Sequence, residues 1–232
     1  MKRSNILSFI IAAFILFPVF GFCEGNIHIS KIEGNVFILK KNSFMKKFAE
    51  EKMEVFSGDL IMTDNDSIAL IKINEDSSVV VDSNSKFKVK DSNFYEQEEG
   101  KAYYSVVRQE QKGIKVKTPF AVIGVKGTEF IVNSKSDNQS VALKTGLLNI
   151  ESLKDEFELR RKEEKSAFQA FQEKIMGAFR DYKEKQAREF IEYVTQFELK
   201  PDKMVSFSDN IVNEDELSKE LDKEFEKFRT FL

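Results

Sequence analysis

Between residues 27 and 150 the apolar positions come in short runs that alternate with polar ones and are broken by Gly, Asn and Asp; from about Leu153 they recur at intervals of three and four. A period of two marks a strand with one buried face, and intervals of three and four mark one face of a helix. The first part therefore predicts strands at 27–32 and 35–39 around a Glu33-Gly34-Asn35 turn, then at 60–63, 87–90, 94–96, 102–107 and 114–116. Residues 68–73 and 78–81 read as a hairpin, with Ser77 standing where glycine would ease a tight turn. Residues 41–56 fit a loop or short helix carrying Phe44, Met45 and Phe48.

In the second part Phe168, Phe171, Ile175, Phe179 and Tyr182 follow at spacings of 3, 4, 4 and 3, and Phe190, Val194 and Phe197 resume the stripe. One helix over 153–199 would be about 70 Å long. It would be bent at Gly177 and ended by Lys200-Pro201-Asp202. Asn213, followed by Glu214-Asp215-Glu216, suits the cap and acidic first turn of a second helix striped by Leu217, Leu221, Phe225, Phe228 and Leu232. The expected architecture is an all-β sandwich or barrel-like body over 24–152, followed by a long amphipathic helical region over 153–232. The stripe from Phe168 to Phe197 either packs internally or forms a partner-contact surface, including a coiled coil between chains.

The stretch 116–132, VKTPFAVIGVKGTEFIV, organises the body. Pro119 suits the start or edge of a strand, and Gly124 and Gly127 interrupt the apolar run where a bend, a bulge or a close backbone approach is needed. The spacing of Val116, Thr118, Pro119, Ala121, Val125, Gly127, Thr128, Phe130 and Val132 resembles the signature of the FecR (ferric-citrate regulator) domain. An apolar strand carrying Gly146 follows, and elements upstream such as Ser57-Gly58-Asp59-Leu60-Ile61 extend the likeness over roughly residues 32–150. The resemblance implies a β domain that lies in the periplasm behind a single span, contacts an outer-membrane transporter and signals to a cytoplasmic anti-sigma segment. Only a few residues precede the apolar leader here, so no such segment is expected; a protein-contacting role carries over and the relay does not. The motif residues Thr118, Pro119, Gly124, Gly127, Thr128, Phe130 and Gly146 are structural or contact positions.

Composition narrows the classes further. Lys and Arg number 36 against 39 Asp and Glu, a formal charge of -3, which supplies no reason to expect nucleic acid as partner. Residues 1–23 read as a signal peptide, with Lys2 and Arg3 before an apolar run and Pro18 and Gly21 near its exit. The product is expected in the periplasm or outside the cell. The alternatives are an uncleaved inner-membrane anchor or a lipid on Cys23, and these are the routes to membrane contact.

His28 is the sole histidine and Cys23 the sole cysteine, so a histidine-rich zinc site or an intrachain disulfide is out of reach. Asp59, Asp64, Asp66, Asp76 and Asp82 sit at turns without the spacing of a calcium loop, and 124–128 lacks phosphate-loop spacing. No catalytic, cofactor or metal residue is predicted. The expected role is a non-enzymatic protein-binding or scaffold module of the envelope, partnered by another envelope protein or a second copy. The alternative is a structural protein that self-assembles through its C-terminal helices.

Overall fold

Fourteen short strands build the body up to residue 152, and the computed structural model, which describes residues 27–108, 113–162 and 189–232, adds five further strands and one helix. In chain order the strands are β1 (His28–Glu33), β2 (Val36–Leu39), β3 (Lys47–Phe48), β4 (Leu60–Thr63), β5 (Ile68–Lys72), β6 (Ser78–Val81) and β7 (Lys86–Asp91). They continue with β8 (Phe94–Glu99), β9 (Lys101–Val106), β10 (Ile114–Lys117), β11 (Ala121–Val125), β12 (Thr128–Lys135), β13 (Asn138–Thr145) and β14 (Leu148–Ser152). The last are β15 (Phe157–Lys162), β16 (Glu189–Val194), β17 (Gln196–Leu199), β18 (Lys203–Ser208) and β19 (Ile211–Glu216), before helix α1 (Lys219–Arg229).

Two sheets face each other. One has ten strands in the order β1-β5-β6-β9-β12-β13-β18-β19-β15-β16, the other nine in the order β17-β14-β11-β10-β8-β7-β4-β2-β3. Their inner faces meet in one core that includes Ile29, Ile61, Phe87, Tyr95, Tyr104, Phe130, Ile150, Phe157, Phe197 and Val212. Phe87 and Tyr95 of the nine-stranded sheet meet Tyr104 and Phe130 of the other, with Tyr104 stacked on Phe130 at 4.6 Å between ring centroids. Buried Gln97 holds this group in register: its amide donates to the carbonyls of Gly100 and Val132 (3.0 and 3.1 Å) and its oxygen accepts from Tyr104 (2.8 Å).

The outer faces differ, and the sequence shows why. On β7 and β8 the outward residues are charged, and Lys86 pairs with Glu99 (2.7 Å), Lys90 with Glu96 (3.4 Å) and Lys117 of β10 with Glu96 (3.1 Å). That face needs no cover. In the ten-stranded sheet Leu70, Val80, Tyr103, Ile131 and Ala142 point outward and are apolar too, so α1 lies over them with Phe225 and Phe228 buried. Each of those rings, removed from water, contributes roughly 1.5–3 kcal/mol.

Both ends of the sandwich are stitched by single segments. At one end the chain passes from β16 to β17 through Thr195, so residues 189–199 form the outermost strand of both sheets in turn. At the other, residues 47–55 span both. β3 pairs with β2, while the Ile29 N–H donates to the Met53 carbonyl (3.0 Å) and the Lys52 N–H to that of Ile29 (2.7 Å) on β1. Residues 41–56 therefore hold a short strand and loop that seal an end of the sandwich.

Among the described residues no long helical region forms. Residues before and after 153 share both sheets and the core, and the sole helix among the described residues is the 11-residue α1. Phe190 belongs to β16, Val194 of β16 packs partly buried against the core, and Phe197 of β17 is buried edge-on to Phe157 (5.8 Å). Phe168, Phe171, Ile175, Phe179 and Tyr182 lie outside the described residues. The physical reason lies at Thr195. Where a strand changes sheets its inward side reverses, so two core positions, Val194 and Phe197, fall three apart and imitate a helical interval.

The second predicted helix exists but starts later. Glu214, Asp215 and Glu216 end β19, and the cap is Ser218, whose side chain accepts from the Leu221 N–H at 3.2 Å. Glu220 and Asp222 then supply the acidic first turn, and Lys227 and Arg229 the basic last one.

Candidate functional site

The motif sits where the chain changes sheets. β10 and β11 belong to the nine-stranded sheet and β12 to the other, so Lys126 and Gly127 form a crossing; β13 and β14 make the return, through Gly146. Gly127 has φ +66° and Gly146 φ +91°. The two crossings touch: a Cβ on Gly146 would lie 2.3 Å from the Gly127 carbonyl oxygen and 2.6 Å from Thr128 Cγ2. No side chain fits there. Gly124, by contrast, pairs in register with Lys115 and Asn149, and a Cβ on it would meet Asn149 at an ordinary 3.6 Å; no bulge is present at that position.

Thr118 and Pro119 shape the β10–β11 turn. The Thr118 hydroxyl oxygen accepts from the Ala121 N–H (2.9 Å) and the Phe120 N–H (3.3 Å), and the Thr118 N–H donates to the Ala121 carbonyl (2.9 Å). Pro119 has no donor to lose at that point. Phe130 is fully buried on Tyr104, and Thr128 is buried at the crossing. Six of the seven motif residues thus serve backbone turns or core, and Gly124 is an ordinary position of β11.

The buried carboxylate of Asp59 is likewise spent locally, on the N–H groups of Lys41 and Phe56 (both 3.0 Å) and on the Lys40 amine (2.8 Å). In the β5–β6 hairpin the Asn74 side-chain oxygen accepts from the N–H groups of Asp76 and Ser77 (3.0 and 2.7 Å), which replaces the glycine turn. Among the described residues no group of three or more His, Cys, Asp or Glu side chains could hold a metal ion. Cys23 lies outside them.

A charged seam ties α1 to the sheet. Arg229 makes two hydrogen bonds to Glu129 of β12 (2.6 and 2.7 Å), and the Tyr103 hydroxyl donates to the same carboxylate (2.8 Å). Burial alone would push the Glu129 carboxyl up, but the hydrogen bonds from Arg229 and Tyr103, with the Arg229 charge, outweigh it and hold it below the usual carboxylate range. Burial, and then the Glu129 hydrogen bond, push the Tyr103 phenol up. Lys101 pairs with Glu224 (2.8 Å), and Lys144 with Asp202 and Asp222 (both 2.9 Å). Nothing in local spacing marks these pairs. The signal available in the sequence was the doubly apolar character of β5 and β6, which calls for a cover.

Large apolar side chains that stay exposed fall mainly at the two stitched ends. Phe44, Met45, Phe48 and Phe56 surround β3, whereas Ile191 and Tyr193 lie on β16, on the face that also carries Arg160 and Glu158. No helix among the described residues is long and apolar enough to cross a membrane.

Comparison with known proteins agrees with the motif. The family model described as FecR protein matches residues 59–169. No curated protein matches the chain. Two crystal structures, at 1.65 and 2.50 Å, of a protein described as "a putative anti-sigma factor from Parabacteroides distasonis ATCC 8503" each share 14% identity with it at a TM-score of 0.45. The alignment covers 68% of this chain and 59% of each of those, so the chain spans about three fifths of their length. The match runs from the buried Asp59 through both glycine crossings into β15 and beyond, and it is over those residues that the chain is similar to the FecR family.

Proposed function

We propose that this chain is an exported, non-enzymatic protein-binding module of the bacterial cell envelope, and that an envelope protein adds to it along β16. The observation that carries the reading is the end of the ten-stranded sheet. β16 is its terminal strand, paired with β15 alone among the described residues, and it presents Tyr193 at 66% and Ile191 at 45% exposure. A terminal strand offers unpaired backbone groups to an added strand, and tyrosine beside arginine is the composition that anchors protein interfaces. Arg161 bridges Glu192 of β16 and Glu214 of β19 (3.1 and 3.0 Å), which steadies the strand from inside the sheet. The likeness to FecR domains, which lie in the periplasm, supports the reading.

Self-assembly through C-terminal helices is not favoured, because the apolar face of α1 is spent on its own sheet. The test is a photo-crosslinking residue placed at Tyr193 in cells, with the same residue at Lys88 on the charged outer face as control. Adducts with a defined envelope protein from Tyr193 alone, lost on adding Ile191→Asp, support the reading. Equal adducts from both positions, or none from Tyr193, overturn it.

A further inference from the structure

We infer that the corner built by residues 40–56 docks on an anionic phospholipid surface. Residues 40–49, KKNSFMKKFA, contain Lys40, Lys41, Lys46 and Lys47 and no acid, and with Lys52 set against Glu50, Glu51 and Glu54 the corner 40–56 as a whole carries a formal +2 within a chain of -3. The overall charge argues against holding acidic lipid; its distribution does not, because surface attraction depends on charge within about a Debye length.

The loop is built to project. Its turn is closed by the Ser43 N–H donating to the Lys40 carbonyl (2.9 Å), with Asn42 at φ 62° and the Met45 N–H donating to the Ser43 hydroxyl (3.2 Å). Beyond that turn Phe44 is fully exposed, Met45 76% and Phe48 65% exposed. Phe48 rests against Phe37 (4.7 Å), and the Lys46 amine lies 4.0 Å from the centre of the Phe37 ring. Lys40 reaches back to Asp59 (2.8 Å), while no carboxylate among the described residues forms an ion pair with Lys41, Lys46 or Lys47.

Apolar tips with ammonium groups beside them match the layering of a membrane surface, where rings and thioethers enter the acyl boundary and amines meet the phosphates. A protein interface of ordinary size takes about twenty residues a side, and a single projecting loop offers far fewer. The corner also lies at the opposite end of the strand order from β16, so a lipid-docked chain leaves that strand clear.

The chain contains no tryptophan, so Phe44→Trp makes a single local reporter in the full-length protein. Its emission should shift to the blue, and be quenched by brominated acyl chains, on phosphatidylglycerol-containing vesicles but not on phosphatidylcholine alone. Adding Lys46→Ala and Lys47→Ala should weaken the lipid titration roughly 30-fold. Because the reporter sits in the loop, insertion of the apolar run at residues 6–17 does not mimic it. An unshifted spectrum on anionic vesicles, an equal response to neutral ones, or a concentration-dependent shift without lipid would each overturn the inference, the last in favour of a second copy. Unchanged circular dichroism of the variants confirms that folding is not what moved.

Discussion

Arg229 and Glu129 stand 100 positions apart and meet in a two-point ion pair, with both guanidinium contacts at 2.6 and 2.7 Å. That pair fastens the last turn of α1 to the strand that follows the motif crossing. Glu129 is largely buried and also accepts from Tyr103, so removing Arg229 leaves a desolvated carboxylate with a weaker set of partners.

Arg229→Ala should therefore destabilise the fold by about 1–3 kcal/mol, whereas Lys223→Ala on the same helix should change stability by less than about 0.5 kcal/mol. Urea unfolding followed by tyrosine fluorescence measures the difference.

The Glu129 carboxyl is held low in the folded protein, so its contribution has a definite sign with pH. It is fully present above the ordinary carboxylate range and is lost as pH falls through the lowered folded value. Unfolding of the parent protein should lose stability below about pH 4 by more than that of Glu129→Gln, which lacks the titration. Equal acid dependence in the two proteins would show that other carboxyl groups, Glu96 among them, carry the effect.

Gly146→Ala should cost at least about 2 kcal/mol, since the new Cβ meets backbone at a positive φ. Gly124→Ala should be tolerated within about 1 kcal/mol, because its nearest contacts are ordinary. Thermal melts of the two variants separate a crossing glycine from a strand glycine.

Phe225→Ala should cost about 3–5 kcal/mol, since it removes a buried ring lying 6.1 Å from that of Tyr103. It should also uncover the outer face of the ten-stranded sheet, which increased binding of a hydrophobic dye would report.

Much of the body was legible. Alternation on β7 and β8 showed both their buried and their charged faces, and the hairpin of β5 and β6 follows from the turn at Asn74. The contact surfaces were less so. Phe44, Met45 and Phe48 stood out as a loop, but what lies beneath them depends on how residues 47–55 cross the sandwich end. The stretch 153–199 misled because its apolar positions fall at intervals of three and four, as Val194 and Phe197 do on either side of the crossing at Thr195. The real signal was a period of two at Phe157 and Leu159, at Phe197 and Leu199, and at Val205 and Phe207, each pair buried. Strand preference depends on neighbours more than helix preference does, and these neighbours, β14, β13 and β19, lie elsewhere in the chain.

By itself the sequence determined the strand-built body, the bend at Gly127 and the likeness to the FecR domain, because steric limits on backbone and the alternation of faces act residue by residue. Tertiary structure alone decided that the later segments join those same sheets and that α1 closes over the outer face. Those outcomes rest on hydrogen-bond partners and ion pairs tens of residues away, and no local spacing encodes which distant strand is there to receive them.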